Sequence, residues 1–175
     1  MNSPRALTPE DLQLEHGFTL TEALVVIVII GTMVVIATPA LLQMYQSYTV
    51  KSAATQLATH IRFARNLCVS QKVDYRVVIK NTGASSDKNT YLIEYDPDGS
   101  GFVSVPDVDF TLPKGIEILD SAVFSGGVAT IQFNTRGGAK AIVGSPPYEI
   151  SLRSPNNLIL RVRIQLTGEV EVEKV

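Results

Sequence analysis

No charged side chain occurs between Glu22 and Lys51, and that gap limits what the chain can be. Its densest part, from Ala23 to Leu42, reads ALVVIVIIGTMVVIATPALL. Twenty residues of helix at about 1.5 Å each span about 30 Å, the hydrocarbon thickness of a bilayer. A core helix of a water-soluble domain would carry a polar face, and this run has none. It reads as a membrane helix. Gly31 and Pro39 would weaken a helix in water. In a bilayer both are tolerated, because neighbouring groups satisfy the freed backbone.

Beyond Leu42 the sequence turns polar without a break, and no Gly or Pro occurs between Ala40 and Lys80. Val50, Ala54, Leu57, Ile61, Ala64 and Cys68 are spaced four and three apart, which is one helix face. Lys51, Gln56, Thr59, Arg62 and Arg65 fall elsewhere. The pattern predicts one helix from Phe18 to about Ser70, lipid-facing first and amphipathic afterwards, roughly 80 Å long.

From Val73 the period becomes two. VDYRVVIK (73–80) alternates apolar and polar residues, as an antiparallel strand does. Further strands are expected at 91–95, 102–105, 108–112, 115–119, 128–134, 140–144, 148–153, 158–166 and 169–174. Gly, Pro, Asn and Asp clusters separate them. The fold class is therefore α+β, with the amphipathic half of a long helix packed on an antiparallel β-sheet or β-sandwich head. The closing LILRVRIQLTGEVEVEKV reads as a hairpin around Thr167-Gly168.

Composition removes several function classes. A net charge of −2 with 18% charged residues fits neither an acidic disordered tail nor a basic nucleic-acid arm. A single cysteine excludes an intrachain disulfide framework and a multi-cysteine metal site. Cys68, on the apolar face, reads as a buried thiol, and His60 as a solvated helix residue. No Ser-His-Asp or Cys-His arrangement stands out, and the Gly-Gly pairs at 126–127 and 137–138 lack the strand-to-helix setting of a phosphate loop. No cofactor is expected. Asp96, Asp98 and Ser100 supply closely spaced oxygens, but no Glu stands at EF-hand spacing, so a solvated turn is favoured over calcium.

The informative junction is His16-Gly17-Phe18-Thr19-Leu20-Thr21-Glu22. The preceding residues hold one base, Arg5, and three acids, Glu10, Asp11 and Glu15, unlike the basic start of a secretory signal. Small residues at Ala37-Thr38-Pro39-Ala40 offer a general signal peptidase another site, which would release a soluble β protein. Glu22 stands at the mouth of the apolar helix, where an unpartnered charge is costly and usually functional.

G-F-T-L-T-E followed by about twenty apolar residues resembles the cleavage site and first helix of the type IV pilin and type II secretion pseudopilin family. FNTRGGAKA (133–141) and the closing VRIQLTGEVEV resemble the H-type minor pseudopilins and related minor pilins. The resemblance implies a leader over 1–17, a transmembrane and assembly helix over 18–42, its amphipathic continuation over 43–70, and a periplasmic head over 71–175. It implies cleavage after Gly17 by prepilin peptidase and N-methylation of Phe18. Glu22, Gly31 and Pro39 fall fifth, fourteenth and twenty-second after that cut, where the family has its assembly glutamate, glycine and proline.

The implied partners are prepilin peptidase, other pilins or pseudopilins through the N-terminal helix, an inner-membrane assembly platform, and lipid before assembly. The implied place is the inner membrane, spanned once with a periplasmic head, and then a filament. The function expected is a minor, tip-type structural subunit of a secretion pseudopilus or a type IV pilus, and not an enzyme. The competing reading is a DNA-binding minor pilin for natural competence. Against it, Glu169, Glu171 and Glu173 alternate on one strand face and would repel phosphate, with Arg161 and Arg163 placed to pair with them.

Overall fold

The computed structural model describes residues 18–81, 89–119 and 121–175, and of 107–109 only the backbone. The leader, including Gly17, lies outside the described residues. A boundary between Leu41 and Leu42 divides the chain into two compact units.

One helix, α1 (Leu20–Gln71), runs through the apolar and amphipathic stretches alike. Within the second unit its face of Val50, Ala53, Ala54, Leu57, Ala58, Ile61, Ala64 and Cys68 is fully buried. All six residues expected on that face are there, joined by Ala53 and Ala58. Four alanines and one cysteine among these eight let strands approach the helix axis closely. Lys72 then takes a left-handed conformation (φ 60°), and its amide donates to the Cys68 carbonyl at 3.1 Å. That closes the last turn without a glycine.

Ten strands follow among the described residues: β1 (Asp74–Lys80), β2 (Thr90–Asp96), β3 (Val103–Thr111), β4 (Glu117–Leu119), β5 (Phe124–Ser125), β6 (Val128–Phe133), β7 (Ala139–Ala141), β8 (Tyr148–Arg153), β9 (Ile159–Ile164) and β10 (Val170–Lys174). They form two antiparallel sheets. The first is ordered β3-β2-β1-β6-β5, with β7 also on β6, and the second β10-β9-β8-β4. Inward residues of both sheets, among them Val77, Ile93, Ile131, Phe133, Ile150, Leu152, Val162 and Ile164, join the helix stripe in one core.

Three expectations are corrected. The segments 102–105 and 108–112 are one strand, β3, running through Pro106. Proline is tolerated because β3 is an edge strand and its pairing with β2 is offset between Leu92 and Glu94. The short β5 was not expected; two residues carry too little pattern to be read. His60 is not simply solvated. Its ring stacks on Phe110 at 3.9 Å between centroids, and Nδ1 lies 2.8 Å from the Tyr91 hydroxyl. Burial pushes the Tyr91 hydroxyl up to about 12 and lowers the His60 pKa. The expected buried thiol, by contrast, is found: Cys68 Sγ donates to the Phe133 carbonyl at 3.2 Å.

Two glycine turns and an arginine hold one corner of the head together. Arg65 on α1 donates from Nε to the Gly137 carbonyl at 2.9 Å and from Nη2 to the Thr167 carbonyl at 3.1 Å. Arg62, one turn earlier, donates to the Val170 carbonyl. The Ala139 amide donates to the Leu166 carbonyl at 2.9 Å, joining the β6–β7 turn to the β9–β10 turn. At Gly168 (φ +79°) a Cβ would lie 2.1 Å from the Gly137 oxygen, so no other residue fits without moving the corner.

This corner generates a graded prediction. Gly168→Ala should lower the unfolding free energy of the full chain in detergent by more than about 2 kcal/mol, combining clash and left-handed strain. Gly99→Ala has the same φ of +79° but no atom within 4 Å of the new methyl. It should cost only about 1–2 kcal/mol. Equal losses in denaturant titrations would refute the corner's role.

His60 generates a second. Its folded pKa lies below its ordinary 6.5, so between the two values the unfolded chain binds the proton and the folded chain does not. The stability from neutral His60 is complete above 6.5 and is lost as pH falls through the lowered value. The denaturation midpoint should drop between about pH 7.5 and about pH 5.5. His60→Gln should flatten that dependence, and an unchanged slope in the variant would exclude His60 as its source.

Candidate processing and assembly site

Thr19 caps the start of α1. Its carbonyl accepts from the amides of Glu22 and Ala23, both at 3.1 Å, and its hydroxyl oxygen also accepts from the Glu22 amide at 3.2 Å. Thr19 and Glu22 are thus the two ends of a Thr-x-x-Glu capping sequence, legible in the chain but not among the residues singled out from it. The exposed Glu22 carboxylate sits in the first helical turn, where the positive end of the helix dipole favours negative charge. Phe18 lies just outside the helix and is 69% exposed. Phe18 thus directly precedes the capping Thr19 and the first turn that holds Glu22. Gly17 is outside the described residues.

Gly31 and Pro39 lie further along the same helix. A Cβ at Gly31 would meet nothing within 4 Å, so no packing among the described residues requires glycine there. Pro39 lies inside α1, and its missing N–H removes one backbone bond. The preceding Thr38 hydroxyl donates to the Val34 carbonyl at 2.7 Å, and the Thr32 hydroxyl to the Ile29 carbonyl at 2.8 Å. Leu24, Ile27, Val35 and Ile36 are all more than half exposed. This stretch is long and apolar enough to cross a membrane.

The Asp96–Gly101 loop uses its carboxylates locally. Asp96 Oδ1 accepts from the amides of Gly99 at 2.8 Å and Gly101 at 3.2 Å. Asp98 Oδ1 accepts from the Ser100 amide at 3.1 Å and from its hydroxyl, and these bonds lower the Asp98 pKa. The three candidate oxygens thus build a turn. Among the described residues no three His, Cys, Asp or Glu side chains gather as a metal site.

The closing strands carry a charge ladder with a member that sequence reasoning missed. Arg163 pairs with Glu173 at 2.6 Å and with Glu149 on β8 at 3.1 Å. Glu149 also lies 3.3 Å from Arg161 Nε, without hydrogen-bond geometry. Glu149 opposes Arg163 across the β8–β9 ladder, a pairing that requires the strand order. Both arginines are engaged with carboxylates.

Residues 13–38 match the model of the prokaryotic N-terminal methylation motif. No curated protein sequence matches the chain. Among solved structures, the minor pseudopilin EpsH from the type 2 secretion system of Vibrio cholerae has a TM-score of 0.54 at 13% identity, over 72% of this chain and 97% of that one. A second EpsH structure scores 0.51 at 13% identity, over 71% and 92%. The Pseudomonas aeruginosa type IV minor pilin FimU scores 0.48 at 16% identity, over 74% and 92%. The fold likeness rests on the two EpsH structures. The chain thus carries a prokaryotic N-terminal methylation motif over residues 13–38 and is similar in fold to the minor pseudopilin EpsH.

Proposed function

We propose that this protein is a minor structural subunit of a secretion pseudopilus or a type IV pilus, cleaved after Gly17 and N-methylated at Phe18. The observation that carries the proposal is the register of one short segment. A Gly-Phe pair, a capped helix start, Glu22 in the first turn and an exposed apolar run follow each other within the methylation motif. Prepilin peptidase is the processing partner. Before assembly the helix spans the inner membrane once, with the head in the periplasm.

Assembly draws this helix out of lipid and stacks it on helices of sister subunits, delivered by a membrane platform. Glu22 sets the register by pairing with the new N-terminal amine of a neighbour, because a carboxylate desolvated between helices without a partner is penalised. Pro39 lets the helix bend as it packs. Nothing in this scheme requires catalysis by the chain. The DNA-binding alternative is not favoured, because Arg161 and Arg163 face Glu149 and Glu173.

Intact mass of the mature protein from membranes, with and without the peptidase, tests the processing step. The expected N-terminus is Phe18 carrying one added methyl group, appearing only with the peptidase. An intact Met1 or a start near Leu41 would sink the proposal. Glu22→Ala should still begin at Phe18 yet fall roughly tenfold in the sheared filament fraction, equivalent to about 1.4 kcal/mol. Undiminished incorporation would remove Glu22 from the assembly role.

A further inference from the structure

Near Leu42 the helical part of the head carries features that the assembly scheme does not use. Tyr45 and Tyr48 are 69% and 70% exposed, and Lys51 is exposed one turn further on. Tyr45, Gln46 and Thr49 form one wall of a groove of about 110 Å³. The other wall is Pro113, Lys114 and Ile116 of the β3–β4 loop together with Pro155.

The groove is built. Asn156 Nδ2 donates to Ser47 Oγ at 2.8 Å and to the Gln43 carbonyl at 3.3 Å, tying the β8–β9 loop to the helix. A Cβ at Gly115 would lie 3.0 Å from Pro155 Cγ, so the two loops are in close contact. Among the described residues neither Lys51 nor Lys114 is in an ion pair.

We propose that this end of the head, with Tyr45, Tyr48 and Lys51 on α1 and Lys114 on the β3–β4 loop, seats anionic phospholipid headgroups. Three observations select that occupant. Tyr45 and Tyr48 lie three and six residues past the apolar run that ends at Leu42, still within the uncharged stretch. Tyrosine is enriched at the depth where apolar chains give way to headgroups. The first cation after the run is Lys51, and the groove's own cation, Lys114, comes from a different element; both are free to meet phosphate. The groove mixes tyrosine, threonine and glutamine with proline and isoleucine, matching a polar headgroup above its glycerol. A head seated this way rests on the bilayer, and extraction must break that contact.

The inference rests on the reading that residues 23–42 span the bilayer, and the test separates the two. The full chain is placed in lipid nanodiscs of phosphatidylcholine, with or without a minority of phosphatidylglycerol. Trace lipid carries a nitroxide on the headgroup or deep in the acyl chain. Acyl-chain nitroxide should broaden the amides of 23–42; if it does not, the spanning reading fails by itself. Headgroup nitroxide should broaden the amides of Lys114, Gly115 and Ile116 when phosphatidylglycerol is present. That broadening should fall about fivefold in Lys114→Gln, and further in the Lys51→Gln/Lys114→Gln double variant or at high salt.

Broadening confined to 43–48, with the loop untouched, would overturn the seat. So would equal broadening in phosphatidylcholine alone, which would mean apolar contact only. Broadening of the loop by a nitroxide on a second copy of the chain would assign the groove to self-association instead. Amide chemical shifts in the β8–β9 hairpin, unchanged in the variants, confirm that the head remains folded.

Discussion

The head depends on one stripe of small residues. Val50 to Cys68 presents alanine four times among its eight buried positions, so the strands approach the helix backbone closely and both sheets share one core with it. Larger residues there would hold the sheets off and separate the corner where Arg65 reaches the Gly137 and Thr167 carbonyls. The arginine is effective because the helix is close. Two hairpin turns whose chain positions differ by about thirty residues are then joined by a side chain's donors and one amide bond.

The same helix changes character on the other side of Leu42. Nothing among the described residues covers its apolar surface there, which is more than half exposed at Leu24, Ile27 and Ile36. Apolar area of that kind must be removed from water by lipid or by other helices. The head is better guarded. β3 carries Pro106 on its outer edge, and β10 carries Glu171 and Glu173. These features discourage open strand edges from pairing with other chains. Most of the exposed large apolar side chains among the described residues lie on the helix and not on the strand edges.

Much of this could be read from the chain. The helix face was legible because a period of 3.6 survives over six spaced residues, and most strands because a period of two does. β5 was not legible, since two residues have no period. Nor was the joining of 102–105 and 108–112, since Pro106 reads as a break until its edge position is known. His60 was misread because only a strand partner brought from elsewhere, Tyr91 with Phe110, distinguishes a stacked ring from a solvated one. Glu149 was missed because it lies beside Arg163 only once β8 pairs with β9.

Local physics written along the chain determined the uncharged run, the amphipathic continuation, the Gly-Phe junction with Glu22 in register, and the switch to alternating strands. Each depends on neighbours a few residues apart, which the sequence displays directly. Tertiary structure alone decided the order of the strands, the partition into two sheets, the meeting of Gly137, Gly168 and Arg65, and the groove between Tyr45 and Lys114. These depend on which distant segments become neighbours, and the choice is made by the packing of the whole core.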